Sequence, residues 1–312
     1  MQRVLYLISL GLAVSGLKLA SDLESIEYTP ARVALEEFFN STHQLVTGGI
    51  SVIGRDKTVD LATNAEIPSL RTYATNRNLR IIYTVTETYY RIIANKSAGI
   101  TKLEDLAGKR IGTFPGTTAN YFLEQYLATV GITASNYTLV SGGLCKRNPC
   151  AQNTLPGLLA NNSVDAITVW EPTPQIGLDT LGEHGIVFQN RSIYREMVNL
   201  HTTADKLADP EKRKEIVSFI RALNKIQKIY TENPESLDLY NRVAKYIDAD
   251  PATIKAVWPI HGWRGALAPD IIDVLVKEDP WVANQSRRAG LTLEEIHTLV
   301  DKSVSEEALR EA

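Results

Sequence analysis

The chain has 312 residues, of which 44% are hydrophobic and 22% are charged, and its formal net charge is −3. These values are typical of a globular protein with one large domain or two medium ones. They lack the basic block that a nucleic-acid-binding surface needs, so nucleic acid is not an expected partner.

The amino end has the pattern of a secretory signal. Arg3 precedes the apolar run Val4–Leu17, which is too short to span a bilayer comfortably, and small or polar residues follow at Ala20 and Ser21. We therefore predict a cleaved signal peptide over residues 1–20 and an exported protein, either secreted or periplasmic. A buried first helix is the alternative interpretation.

The next part of the chain alternates strand and helix signals. The predicted strands are Ser25–Tyr28, His43–Thr47, Val59–Thr63 and Leu79–Thr84, and the predicted helices begin near Ala31 and at Pro68. This order is typical of an α/β protein and not of a repeat or a helical bundle.

Ligands of α/β sheets bind beyond the carboxyl ends of the strands, where loops lead into helices. That rule selects Tyr28, Thr29, Asn64, Glu66, Thr86 and Glu87 as ligand-binding candidates. For Glu66 and Glu87 the alternatives are helix capping or ion pairs with Arg71 or Arg91.

The stretch Thr101–Gly131 combines a strand, a glycine-containing loop and a helix. Arg110–Thr113 is the predicted strand, Phe114–Thr118 the loop and Ala119–Val130 the helix. Thr117 and Thr118 offer hydroxyl groups beside unpaired N–H groups at the positive end of the helix, so an anionic or polar ligand group fits there. The alternative is that one threonine only caps its helix.

A second candidate wall follows the predicted strand Val164–Val169, which ends on Trp170 and Glu171. Trp170 is either a platform for an apolar or aromatic ligand or a cover for the hydrophobic core. After about residue 200 the sequence is mainly helical, and the polar end from Ser303 is expected to fray.

Two sequence features depend on export. Cys145 and Cys150 are close enough to form a local disulfide bond in an oxidising compartment, whereas a metal site would need further ligands and no histidine lies nearby. Asn-x-Ser/Thr sequons occur at Asn40, Asn95, Asn136, Asn161, Asn190 and Asn284. They favour a glycosylated protein of a eukaryotic secretory pathway over coincidence in a bacterial one.

Catalytic, metal and cofactor signatures are absent from the sequence. No Gly-x-Ser-x-Gly or phosphate-loop motif is present, and none of the five histidines pairs with another at metal-ligand spacing. We therefore expect no cofactor and no metal. His201 is the one histidine kept as a site candidate, either as a ligand-binding or basic group or as a structural histidine bonded to the backbone.

Four segments together resemble type 2 solute-binding proteins of ABC importers. They are Leu103–Gly112 with its following loop and helix, Val59–Arg71, Ile82–Gly99 and Val164–Pro174. The similarity is greatest to the branch of taurine, nitrate and aliphatic-sulfonate binders and the related thiamine-pyrimidine-like proteins. The cysteine-rich motif of thiamine-pyrimidine synthases is not present, so that synthase activity is not expected.

The resemblance implies a two-lobed α/β fold of the periplasmic-binding-protein type II class. Each lobe would have a mixed sheet flanked by helices, with residues 21–94 and 200–312 in the first lobe and 95–199 in the second, and Met197–Thr203 as the return crossing. The implied function is capture of a small polar ligand by a monomer that delivers it to an ABC permease in a bacterium. The loop at Gly116–Thr118 favours an anionic group, whereas inward-facing Glu66, Glu87 and Glu171 would favour a ligand with positive charge, so the expected ligand is anionic or zwitterionic. The alternative is an exported enzyme that uses the same fold, with His201 and the cleft carboxylates as acid and base.

Overall fold

The structure, a computed structural model, describes residues 16–310 of the chain. The strands are β1 (Leu17–Ser21), β2 (His43–Thr47), β3 (Leu61–Ala65), β4 (Leu79–Thr88), β5 (Ile92–Asn95), β6 (Arg110–Gly112), β7 (Thr138–Val140), β8 (Ala166–Ile167), β9 (Gly185–Phe188), β10 (Glu196–Thr203) and β11 (His261–Gly262). They form two sheets, each flanked by helices, which confirms the predicted fold class.

Most of the helices lie in the first lobe and at the carboxyl end. The α-helices are α1 (Thr29–Glu37), α2 (Ile50–Ile53), α3 (Glu66–Tyr73), α4 (Thr118–Ala128), α5 (Leu155–Ala160), α6 (Thr173–Leu181), α7 (Ala204–Ala208), α8 (Pro210–Glu232), α9 (Leu239–Ile247), α10 (Pro251–Val257), α11 (Ile271–Ser286), α12 (Leu293–Leu299) and α13 (Ser303–Arg310). Short 3-10 helices lie at Ile26–Tyr28, Lys96–Ala98, Leu103–Leu106, Ala134–Asn136, Gly182–His184, Pro234–Leu237 and Trp258–Ile260. None of the described helices is long and apolar enough to cross a membrane.

The first lobe contains a six-stranded sheet in the order β11-β4-β10-β3-β1-β2. Strand β1 pairs in parallel with β2 and β3, and β10 runs antiparallel between β3 and β4. Every residue of β10 is buried, which is the pattern of a strand covered by helices on both faces. The carboxyl ends of β1 and β3 therefore meet at the same edge of this sheet.

The second lobe contains a five-stranded sheet in the order β7-β6-β8-β5-β9. Strand β6 is parallel to β7 and β8, whereas β5 is antiparallel to β8 and β9. Helix α4 begins at Thr118, directly after the loop that follows β6. This places the amino end of α4 at the carboxyl edge of the second sheet.

The chain crosses between the sheets twice, at residues 89–91 and 189–195. Tyr90 of the first crossing and Tyr194 of the second have ring centroids 5.7 Å apart, and Tyr90 also lies 5.7 Å from Phe122 of α4. The three rings are buried, so an aromatic cluster joins the lobes where the chain crosses between them.

The prediction for the amino end of the chain is wrong at its boundary. Most of the predicted signal segment, residues 1–15, lies outside the described residues. Leu17–Ser21 nevertheless forms β1, and Leu17, Leu19 and Ala20 are fully buried in the first lobe. Cleavage after residue 20 would remove a strand that pairs with two others, so only a shorter signal is compatible with this fold.

Three further expectations differ from the structure. Ser25–Tyr28 is not a strand, because Ile26–Tyr28 forms a 3-10 helix that runs into α1. Met197–Thr203 is not the return crossing but most of β10, in the interior of the first sheet. The end from Ser303 is the ordered helix α13, because Val304 and Ala308 are fully buried against the first lobe.

Candidate functional site

A cavity of about 220 Å³ lies between the lobes at the carboxyl edges of both sheets. The first lobe contributes Asp22, Ser25, Glu27, Tyr28, Asn64, Ala65, Pro68, Arg71 and Glu196, and the second lobe contributes Thr117, Thr118 and Trp170. The cavity is smaller than the ~300–1,000 Å³ of drug-sized ligand pockets, so it fits a small molecule. Of the ligand-binding candidates selected from the sequence, it brings together Tyr28, Asn64, Thr117, Thr118 and Trp170.

The threonines of the second lobe do not cap helix α4 in the way the sequence suggested. The Thr117 hydroxyl donates to the Phe114 carbonyl at 2.7 Å, and the Thr118 hydroxyl donates to Glu196 Oε1 at 2.7 Å. Glu196 is the first residue of β10, so the second bond joins the two lobes. Gly116 has a φ of +74°, a backbone conformation that residues other than glycine rarely adopt. This conformation allows the tight loop before the helix.

Trp170 forms an aromatic wall of the cavity. Its ring stacks on Phe114, with centroids 5.3 Å apart and planes 23° apart, and the residue is half-buried. The stacking fixes the orientation of the indole, because Phe114 belongs to the loop before α4. Trp170 therefore both lines the cavity and covers part of the second lobe's core.

Glu27 is the most unusual group at the cavity. The residue is only 1% exposed, yet neither carboxylate oxygen has a hydrogen-bond partner among the described residues. The nearest group that could act as a counter-ion for Glu27 is His261. Its Nε2 atom lies 3.7 Å from Glu27 Oε1 and also has no hydrogen-bond partner among the described residues. Burial of an unpaired carboxylate is costly, so Glu27 needs a donor that the described residues do not supply.

Glu196 is the second buried carboxylate at the cavity. It accepts hydrogen bonds from Thr118 at 2.7 Å and from Tyr90 at 3.0 Å. Burial, followed by the charges of Glu66 and Glu27, raises its pKa well above the ordinary value. The protonated form of Glu196 is therefore favoured while the cavity holds no compensating positive charge.

Behind Glu196 lie two more buried carboxyl groups that do not line the cavity, Glu66 and Glu278. Burial raises the pKa of Glu66 from 4.5 to about 7, against the opposing effect of hydrogen bonds from Tyr194 and the Met197 N–H group. Burial and the charge of Glu66 also raise the pKa of Glu278. Glu196, Glu66 and Glu278 thus form a cluster of buried carboxyl groups that reaches the cavity through Glu196.

Arg71 is the only arginine or lysine that lines the cavity in the described part of the chain. Its guanidinium donates to the Gly116 carbonyl at 2.9 Å, which bridges the two lobes at the cavity rim. Partial burial, followed by the charge of Arg288, lowers its pKa from the ordinary value. The sequence analysis considered Arg71 only as an ion-pair partner of a glutamate.

Several predicted site residues do not line the cavity because they have buried partners elsewhere. Thr29 donates to the Ile26 carbonyl at 2.6 Å, Thr86 donates to the Glu27 carbonyl at 2.6 Å, and Glu171 pairs with Arg91 at 2.7 Å. Glu66 is held by Tyr194 and Met197. Each of these side chains positions a neighbouring element of the cleft.

Glu87 and His201 lie outside the cavity. Glu87 pairs with Arg264 at 2.8 Å, and Arg195 lies 3.5 Å away. His201 is fully buried in β10, where its Nε2 bonds with the Ser69 hydroxyl at 2.7 Å and its Nδ1 lies 3.3 Å from the Ala62 carbonyl. Burial lowers the pKa of His201 to about 3, which keeps the ring neutral.

Asp22, Glu27 and Glu196 are the carboxylates of the cavity that the sequence analysis missed. Asp22 directly follows β1, the strand that was assigned to the signal peptide. Glu27 was placed inside a predicted strand, and Glu196 begins an antiparallel strand whose position depends on long-range pairing. The rule on carboxyl ends of parallel strands would have found Asp22 if β1 had been recognised.

A loop closed by a disulfide bond makes further contacts between the lobes. Cys145 and Cys150 are bonded, with their Cα atoms 5.7 Å apart. Between them, Lys146 pairs with Glu24 at 2.9 Å, and Arg147 donates to the Ala249 carbonyl at 2.9 Å. Both acceptors belong to the first lobe, so this loop forms a further set of contacts between the lobes.

The exposure of the six sequon asparagines differs. Asn95 is buried, accepts from the Ser97 N–H group and donates to Asn162, so its amide is not available for glycosylation. The other five are exposed, and their glycosylation stays a prediction. They are Asn40, Asn136, Asn161, Asn190 and Asn284. In residues 16–310, no three His, Cys, Asp or Glu side chains are arranged to hold a metal ion.

Comparisons with known proteins give a family match and a set of similar folds. The family described as NMT1/THI5 like matches residues 51–237, which is more than half of the chain. No curated protein sequence matches significantly.

Three solved structures illustrate the similarity of fold. The alkanesulfonate-binding protein SsuA from Xanthomonas axonopodis pv. citri, bound to MOPS, is 16% identical and has a TM-score of 0.68, with 92% of this chain and 98% of that chain covered. The periplasmic nitrate-binding protein NrtA from Synechocystis PCC 6803 is 12% identical, with a TM-score of 0.70 and coverage of 96% and 89%. A Candida albicans protein that defines a new family with the generic periplasmic binding protein fold is 17% identical, with a TM-score of 0.62 and coverage of 92% and 96%.

Proposed function

The chain belongs to the NMT1/THI5-like family, and on that premise we propose that it is an exported solute-binding protein that captures a small polar organic molecule between its two lobes. The observation that carries this proposal is the polar cavity of about 220 Å³, which is lined by residues of both lobes. A molecule that contacts both lobes binds the closed arrangement more tightly than the open one. This difference in affinity drives closure.

The connections between the lobes support a hinge mechanism. Within residues 16–310 the chain crosses between the sheets only at residues 89–91 and 189–195, so a few backbone dihedrals can change the angle between the lobes. The bond from Thr118 to Glu196 and the bond from Arg71 to Gly116 lie at the cavity and would break on opening. The contacts of Lys146 with Glu24, of Arg147 with the Ala249 carbonyl and of Trp281 with Glu124 also join the lobes, so a bound ligand would add to an existing set of closing contacts.

The proposal includes a location and a partner. We propose that the chain acts as a monomer outside the cytoplasm and, in a bacterium, delivers its ligand to an ABC permease. The similar structures from Xanthomonas and Synechocystis are named as binding proteins for alkanesulfonate and nitrate, and the nitrate binder is named as periplasmic. The similar Candida albicans protein has the same general fold in a fungus, which is compatible with the sequons of this chain.

The alternative of an exported enzyme has less support. It depended on His201 as the acid or base, and this side chain is bonded to Ser69 inside the first lobe, with a pKa of about 3. A base must come within hydrogen-bonding reach of a substrate. His201 does not line the cavity, so it lacks that access.

Small-angle X-ray scattering tests the binding proposal directly. The molecule released from protein purified from its host is returned to protein that was unfolded, dialysed and refolded. We expect the radius of gyration to fall on addition and the molecule to be recovered chemically unchanged. Conversion of the molecule, or a radius of gyration that stays constant at saturating concentration, would contradict the proposal.

A further inference from the structure

We propose that the ligand is a small organic cation, and that its N–H-bearing charged group binds to Glu27. This inference rests on the proposed solute-binding function and names the chemical class of the solute. The relatives named as sulfonate and nitrate binders take anions, so the proposal separates this cleft from theirs.

Glu27 supports this proposal because its carboxylate lacks hydrogen-bond partners among the described residues. Both of its carboxylate oxygens are buried and unpartnered although the residue lines the cavity. An isolated buried carboxylate is much more costly than one that accepts charged hydrogen bonds. A cationic N–H group in the cavity would supply those bonds.

The second argument is that His261 is badly placed to fill this role. Its Nδ1 lies 3.0 Å from the Val257 carbonyl oxygen, which cannot donate, so Nδ1 must carry the hydrogen. Its Nε2 lies 3.7 Å from Glu27 Oε1, which is beyond hydrogen-bonding distance, so His261 does not satisfy the carboxyl group in this geometry. A donor within hydrogen-bonding distance of Glu27 must therefore come from another group.

The third argument is the charge of the remaining lining. Asp22 and Glu196 are the other acidic groups of the cavity, and Arg71 is its one arginine or lysine among the described residues. The guanidinium of Arg71 already donates to the Gly116 carbonyl at the rim. An anionic ligand would therefore meet three carboxyl groups and only one partly engaged cation.

The aromatic walls are compatible with a cation as well. Trp170 and Tyr28 line the same cavity, and the face of an aromatic ring attracts a positive charge. The volume corresponds to about seven water molecules at ~30 Å³ each, so a cationic ligand that fits would be a small amine, amidine or guanidine.

The test uses the full chain, a matched set of probes and a charge-neutral variant. Thermal unfolding is followed with ethanolamine, putrescine and agmatine as cations, ethylene glycol and 1,4-butanediol as neutral analogues, and methanesulfonate and nitrate as anions. The charge at pH 7 of any molecule released from protein purified from its host is measured by capillary electrophoresis. We expect a cationic released molecule, and stabilisation by at least one cationic probe but not by its neutral analogue.

Two variants connect the result to Glu27. Glu27→Gln keeps the shape and removes the charge, and we expect it to weaken binding of the cation about 10–100-fold. Glu104→Gln changes an exposed carboxylate of the second lobe and should leave the affinity as it is. If Glu27→Gln fails to fold, Asp22→Asn is measured with the same probes and should weaken cation binding in the same direction.

The outcomes separate this inference from the proposed function. A released anion, or stabilisation by methanesulfonate or nitrate alone, would overturn the cationic assignment and leave solute binding intact. A divalent metal ion as the only bound species would also overturn it. Protein that is isolated empty and is stabilised by none of the probes would contradict both proposals.

Discussion

Thr118 of the second lobe donates a hydrogen bond of 2.7 Å to Glu196 of the first lobe, and both side chains are buried. The bond crosses the cleft next to the cavity, and Tyr90 of the first crossing donates to the same carboxyl group at 3.0 Å. Glu196 therefore connects the hinge, the second lobe and the ligand cavity.

Replacement of Thr118 by valine tests this connection. Thr118→Val removes the donor and keeps the shape, so we expect the free energy of unfolding to fall by about 1–3 kcal/mol, because a buried acceptor loses a partner. Thermal or urea unfolding measures the change. The control is Thr129→Val, whose exposed hydroxyl bonds only to the Tyr126 carbonyl at 2.6 Å within its own lobe. Equal stability of the two variants would show that the Thr118 bond is unimportant.

Glu66 should make stability depend on pH. Its pKa in the folded protein is raised from 4.5 to about 7, so the folded state favours the protonated carboxyl group. Its contribution to the free energy of unfolding is complete below about pH 4.5 and is lost as the pH rises through 7. The free energy of unfolding of Glu66→Gln should not show this loss. The wild-type value minus the variant value should therefore become smaller as the pH rises.

Urea unfolding at several pH values between about 4.5 and 7.5 measures that difference. The glutamine side chain of the variant has a single acceptor oxygen for the two donors, Tyr194 and the Met197 N–H group, so the variant is less stable overall and only the pH dependence is diagnostic. Glu104→Gln serves as the exposed control. A stability difference between wild type and Glu66→Gln that is constant over this pH range would refute the assignment.

The disulfide-closed loop should favour the closed arrangement of the lobes. Arg147→Gln removes the bond to the Ala249 carbonyl, and the Arg147 side chain is half-exposed, so the expected loss is only ~0.2–1 kcal/mol. Small-angle scattering should show a larger radius of gyration. Arg55→Gln is the matched control, because Arg55 donates to the Ser51 carbonyl at 2.8 Å inside the first lobe.

The disulfide bond itself should act in the same direction. Replacement of both cysteines by serine releases the segment that carries Lys146 and Arg147, and the two contacts with the first lobe then cost more conformational entropy to form. We expect the double variant to be at least as open as Arg147→Gln. A radius of gyration identical to that of the wild type in both variants would refute a role for the loop in closure.

Trp170 should contribute directly to ligand affinity. Trp170→Ala removes an aromatic wall of the cavity, and we expect a loss of about 1–2 kcal/mol, which is a ~5–30-fold weaker affinity for the molecule isolated with the protein. Calorimetric titration measures this. Tyr240→Ala is the control, because Tyr240 packs on Trp258 within the first lobe and does not line the cavity. An unchanged affinity in a folded Trp170→Ala protein would remove Trp170 from the site.

The fold could be predicted from the sequence because its signals are local. Asp209 before Pro210 predicts the start of α8, and the structure shows its side chain accepting from the Glu211 and Lys212 N–H groups. Thr292 followed by Glu295 three residues later likewise predicts a capping box at the start of α12, and the structure has it. Strand β1 was missed for the opposite reason, because its apolar residues continue the apolar run before it.

The candidate site was predicted only where strand ends and helix starts mark it. Asn64 and Thr118 lie at such positions and line the cavity. Glu27 and Glu196 could not be predicted, because their positions depend on the pairing of β10 between distant strands and on the approach of the two lobes. His201 lies in a strand that is buried on both faces, so the sequence could not tell which face of the sheet its side chain occupies.

Native mass spectrometry of the protein purified from its own host, followed by denaturing release of what is bound, tests the central claim most directly. The account predicts one small organic molecule per chain, bound noncovalently and chemically identical before and after incubation with the protein. An empty protein under conditions in which its host contains small solutes, or a bound compound that the protein has converted, would contradict the claim that this cleft captures a solute without chemistry.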